Sequence, residues 1–78
     1  MNALSSPQRW KKLFPELTEK QFLCLFYYSI GFNSKRIGTL MHCEAQTIRN
    51  QIQILKQIFY IDKASDLRAV LLLRIFMT

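Results

Sequence analysis

The chain is poor in the residues that catalysis and metal binding usually draw on. Its 78 residues include two glycines, two prolines, two cysteines and one histidine. Cys24 and Cys43 stand nineteen positions apart, with no C-x-x-C pair and only His42 to join them. That inventory cannot assemble a zinc site within one chain, and nothing in it demands an oxidising compartment. Two glycines do not make a glycine-rich phosphate loop. Only five Asp and Glu are present, with no carboxylate pair in a recognisable constellation, and no pattern places a base beside Ser29, Cys24 or Cys43. Neither an enzyme nor a cofactor is therefore expected. No apolar run approaches the ~18 residues of a membrane span. The first residues also lack the basic-then-apolar order of a signal peptide. The expected location is the cytoplasm.

Apolar and cationic residues are plentiful instead. Half the residues are apolar and 13% are aromatic, more than the core of so small a domain needs. The surplus points to a surface buried against a partner. Eleven Lys and Arg against five acids give a net charge of +6 and a pI near 9.8, a balance that suits a polyanionic partner.

Taken in order, residues 1–5 read as disordered, and Ser6-Pro7 as a cap followed by proline at the first helical position. Gln8 to Leu13 then reads either as a turn or two of helix, closed by Phe14-Pro15, or as a linker. In the helical reading Trp10, Leu13 and Phe14 pack on the core. Thr18 with Gln21 is a capping box, and Leu17 can staple onto Phe22. The first long helix should run from Glu19 to about Ile30. It is apolar nearly all round, hence central, and Gly31 ends it. Asn33 or Ser34 caps a second helix reaching about Met41, with Ile37, Leu40 and Met41 inward. His42-Cys43-Glu44 makes a turn.

The third helix, Ala45 to Phe59, carries the main signal. Ile48, Ile52, Leu55 and Phe59 recur at i, i+4, i+7 and i+11, one buried stripe. The opposite side collects Gln46, Arg49, Asn50, Gln53 and Gln57, a long polar set without an acid. Arginine can fork onto guanine, and Asn or Gln onto adenine, in a DNA major groove. Ser65 is expected to cap a fourth helix, with Asp66 in its first turn. That helix has two apolar faces: Leu67, Val70, Leu71 and Ile75 on one, Ala69, Leu72, Leu73 and Phe76 on the other. A terminal helix can give only one face to its own core. The second needs another molecule.

The order Leu17-Thr18, Gly31, Lys35, Ile37, Thr47-Ile48-Arg49-Asn50, Leu55, Ser65-Asp66-Leu67 resembles the LuxR-type (GerE-like) helix-turn-helix domain of bacterial transcription regulators. The resemblance runs without a gap from Leu17 to about Ala69. It implies an all-α, compact four-helix helix-turn-helix domain over 17–78; residues 1–16, outside the resemblance, read as an N-terminal arm or short extra helix. It also implies that the third helix enters the major groove and the fourth pairs two subunits; beyond the matched stretch the fourth helix is expected to continue to the chain end. Arg49, Asn50 and Gln53 match the family's base-facing positions; Lys35 and Thr47 match positions that contact phosphate or adjoin the cap. Four residues depart from the family pattern: Gln21 replaces a glutamate, His42 a glycine, Glu44 a serine or threonine, and Tyr60 a glycine.

The expected function is that of a dimeric, sequence-specific DNA-binding regulator. Gln46, Arg49, Asn50 and Gln53 would read bases, and Lys35, Arg36, Thr47 and Lys56 would hold phosphates. Ala69, Leu72, Leu73 and Phe76 would form the dimer interface. The expected partners are double-stranded DNA and a second copy of the chain, which would be nucleoid-associated when bound. The alternative is a protein–protein module of the same fold that forms mixed dimers with another LuxR-type regulator without binding DNA. The stretch Arg9-Trp10-Lys11-Lys12 suggests a third reading, adhesion to an anionic membrane; no membrane is among the expected partners.

Overall fold

A reciprocal pair of hydrogen bonds starts the first long helix. Thr18 Oγ1 accepts from the Gln21 amide at 3.1 Å, and Gln21 Oε1 accepts from the Thr18 amide at 3.0 Å, which completes the capping box. The computed structural model describes residues 7–78, so the expectations for residues 1–5 and for a cap at Ser6 fall outside it. Helix α1 spans Glu19–Ser29, α2 Ser34–Met41, α3 Ala45–Ile58 and α4 Leu67–Phe76. A 3-10 helix, Pro7–Leu13, precedes α1, and a 3-10 turn, Ala64–Asp66, leads into α4. The described residues contain no strand, and the domain is all-α.

Helix α1 lies at the centre and touches α2, α3, α4 and the N-terminal 3-10 helix. Its apolar girth follows from those neighbours. Phe22, Cys24 and Leu25 are fully buried, while Leu23, Tyr27 and Tyr28 are half-buried against the same core. Burial pushes the Cys24 thiol up to about 11; it packs as a protonated, apolar group 3.8 Å from Met41 Sδ. The helix closes at Gly31, φ +108°. There the Phe32 amide donates to Tyr27 O and the Gly31 amide to Tyr28 O, each at 3.1 Å. This is a Schellman closure, and the Tyr27 and Phe32 rings stack across it at 5.9 Å.

Asn33 caps α2, its side chain accepting from the Arg36 amide at 2.8 Å. The inner face of α2 differs from expectation. Ile37 and Gly38 are buried and Met41 is half-buried, but Leu40 is 42% exposed. At about 100° per residue, Ile37, Gly38 and Met41 share an arc of about 100°, and Leu40 lies about 60° outside it. Gly38 takes the inward place because the chain doubles back there: a Cβ on it would stand 2.5 Å from Cys43 O. His42 adopts the left-handed conformation, φ 58°, that makes the turn possible.

Helix α3 then presses Ile48, Ile52 and Leu55 into the core. At about 1.5–3 kcal/mol per buried side chain, the three together orient the helix with roughly 5–9 kcal/mol. The helix ends one residue earlier than expected, with Phe59 as its cap. The closure repeats that of α1: the Ile61 amide donates to Lys56 O and the Tyr60 amide to Gln57 O. Tyr60, φ 55°, stands where glycine is usual.

Two expectations about the ends are corrected. Ser65 does not cap α4; it lies within the 3-10 turn, and Asp66, in the cap position, makes no side-chain cap bond. Helix α4 stops at Phe76 rather than running to the chain end. Of the two readings of the segment before α1, the structure has the helical one: a 3-10 helix, with Phe14 fully buried and Trp10 and Leu13 packed against the core.

Arg74 explains much of that docking. Its Nη1 donates to Leu13 O at 2.8 Å and to Glu16 Oε1 at 2.9 Å, its Nη2 to Glu16 Oε2. Its Cζ lies 4.7 Å from the Phe14 ring centroid and 5.7 Å from that of Phe59. The hydrogen bonds from Arg74 hold the Glu16 carboxyl below its ordinary value. About a third of each side chain is exposed, so water screens the pair to about 1 kcal/mol or less. That stabilisation is complete above the unfolded carboxyl value of about 4.3 and is lost as the pH falls through the lower folded value. Glu16→Gln should therefore melt a few degrees below wild type at neutral pH. The gap should close only as the pH falls below that lowered folded value, where the Glu16 carboxyl is protonated and, like the substituted amide, uncharged. A gap that persisted in acid would show that the carboxylate charge is not its source.

Candidate nucleic-acid interface

The solvent face of α3 follows from its buried one. With Ile48, Ile52 and Leu55 inward, Gln46, Arg49, Asn50, Gln53 and Gln57 are all exposed. At about 100° per residue they fall within an arc of about 100°. No acid lies on the helix; Glu44, at its cap position, is exposed and makes no side-chain cap bond. Three of the side chains form an ordered network. Arg49 Nε donates to Gln46 Oε1 at 3.3 Å, and Gln46 Nε2 donates to Asn50 Oδ1 at 3.0 Å. The Arg49 terminal nitrogens and the Asn50 amide nitrogen have no such partner among the described residues. The face thus offers a planar cationic fork and several amides.

The candidate phosphate-contacting residues are more scattered. Lys35 and Arg36 are exposed in the first turn of α2. Thr47 is exposed on α3, about 60° beyond Asn50 on the helical wheel. Lys56 adjoins Arg49 on the wheel and is half-buried. It borders a surface groove with Gln53, Gln57 and Tyr60.

The outer face of α4 is bare. Leu67 and Leu71 are buried and Val70 and Ile75 half-buried. Ala69, Leu72, Leu73 and Phe76 are exposed, Phe76 at 80%, and Met77 adds to the patch at 83%. Among the described residues, no helix is long and apolar enough to cross a membrane, and no group of three or more His, Cys, Asp or Glu could hold a metal ion.

The sequence reading passed over several residues that shape this surface. Ile54 is 37% exposed and lies next to Asn50 on the wheel; its place two residues after Ile52 was the available sign. Gly38 sets the approach of α2 to the turn, and a glycine inside a helical pattern is itself a mark of close packing. Phe32 stacks on Tyr27 and carries Arg36 over its ring, Cζ 5.2 Å from the centroid. No local pattern would have paired those three.

Comparison of the chain with family models, with curated proteins and with solved structures found no match.

Proposed function

We propose that this chain is a sequence-specific, DNA-binding transcription regulator of the kind its sequence resembles, acting as a dimer in the cytoplasm and on the nucleoid. One observation carries the reading. Helix α3 buries Ile48, Ile52 and Leu55 and turns an acid-free face of Gln46, Arg49, Asn50 and Gln53 to solvent. Arg49 suits the O6 and N7 edge of guanine, and the three amides suit adenine. Ile54 at the margin suits a thymine methyl. Lys35, Arg36, Thr47 and Lys56 would set the protein's register on the phosphates. Ala69, Leu72, Leu73 and Phe76 of two copies would meet. That pairing would place two α3 helices in successive major grooves, about one helical turn or ~10 bp apart.

Fluorescence anisotropy on random and selected duplexes tests this. Binding is expected at ~50 mM salt, weakening steeply as salt rises because phosphate contacts release counterions. The bare outer face of α4 also favours a second reading, in which the chain pairs with a related full-length regulator and modulates it without touching DNA. Absence of binding to every duplex at low salt would overturn the first reading in favour of the second.

A further inference from the structure

We infer that Phe32, braced by Tyr27, is a positioning residue that holds the Arg36 guanidinium ready for a DNA phosphate. The inference rests on the DNA-binding reading and extends it to two aromatic residues that touch no DNA themselves.

Three observations support it. First, the platform is rigid. Phe32 is the residue just past the closure of α1, tied by its amide to Tyr27 O at 3.1 Å. Its ring stacks on Tyr27, with 19° between the planes. Both rings are half-buried against the core, so the outward edge of the stack cannot wander. Second, Arg36 is fixed at both ends: its amide donates to Asn33 Oδ1 at 2.8 Å, and its Cζ lies 5.2 Å from the Phe32 centroid. Third, its donors are unspent. Arg68 donates to Ser29 O, and Arg74 to Leu13 O and Glu16. Among the described residues, no acceptor takes a guanidinium hydrogen from Arg36. The side chain is exposed and opens onto a shallow groove with Asn33, Lys35 and Thr39.

The chemistry follows from the guanidinium group. A guanidinium attracted by the quadrupole of an aromatic ring meets no hydrogen-bond acceptor in that contact, so its N–H groups stay available to an anion. An arginine restrained before contact loses less side-chain freedom on meeting a phosphate. Lys35 next to it has the same charge but no ring partner.

The test is a double-mutant cycle read by anisotropy on a random-sequence duplex about two helical turns long, with thermal melts of every variant. Arg36→Ala should reduce the slope of log affinity against log salt by about one. Phe32→Leu keeps the charge and an apolar side chain. It should weaken binding about 2- to 5-fold, the worth of an exposed cation–π contact. Phe32→Trp, which restores an aromatic face, should bind as wild type does. In the Arg36→Ala background, Phe32→Leu should have no further effect. Equal weakening by Phe32→Leu with or without Arg36 would overturn the inference, because the ring would then act through the fold. So would an Arg36→Ala variant with wild-type affinity and salt slope. If wild type itself binds no duplex at ~50 mM salt, the DNA-binding reading has failed, and the inference falls with it; that outcome is recognised in the wild type alone.

Discussion

Arg49→Ala is expected to weaken binding to a specific duplex by about 1–3 kcal/mol, roughly 5- to 150-fold, and to relax discrimination at one base pair. The expectation comes from the position of the side chain. Arg49 is exposed on the acid-free face of α3 and holds a hydrogen bond to Gln46, which in turn holds Asn50. Removing it deletes a two-pronged donor and unties the first amide of the network. Folding should barely notice, since exposed positions away from special features usually change stability by less than about 0.5 kcal/mol. A loss of affinity with an unchanged melting temperature would therefore locate the effect at the interface. The cognate duplex can be obtained by selection from a random library. If Arg49→Ala binds that duplex as tightly as wild type, α3 does not read bases through this residue.

Gly38→Ala is expected to destabilise the fold by about 1–3 kcal/mol, the usual cost of overpacking a tight contact. Two effects compete here. Alanine is the better helix former by about 1 kcal/mol, so propensity alone predicts a gain. The added methyl, however, would stand 2.5 Å from Cys43 O and 3.4 Å from Ala45 N and Glu44 C. All three are backbone atoms of the turn into α3. They cannot swing aside as a side-chain tip can, so α2 and the turn must move apart. Denaturant or thermal unfolding decides between the two effects, with a fall in Tm of several degrees expected. A variant more stable than wild type would mean that the turn yields easily and that propensity wins. Because the same turn sets the attitude of α3, DNA affinity should fall with stability, whereas Arg49→Ala should separate the two.

Most of the helices were legible in the residues because local signals agreed there. The capping box at Thr18 and Gln21, the glycine at 31 and the 3.6-residue stripe of α3 each act over one or two turns, and the structure has all three. The errors fell where several local solutions compete. Ser65 is a good cap by type, yet the chain takes a 3-10 turn through it. Leu40 is apolar and three residues after Ile37, but the close passage of the turn rotates Gly38 inward in its place.

From the amino-acid order alone come the helical class, the start of α1, the polar face of α3 and the surplus apolar side of α4. All are periodicities or short-range hydrogen bonds within one element. Only the folded molecule decided which helices meet. Arg74 is 58 residues from the Glu16 it grips. Phe32 becomes a platform for Arg36 only once the closure of α1 has turned it toward α2. Such contacts depend on how whole helices pack, and that packing follows from the shape of the core as a unit, which no window of sequence contains.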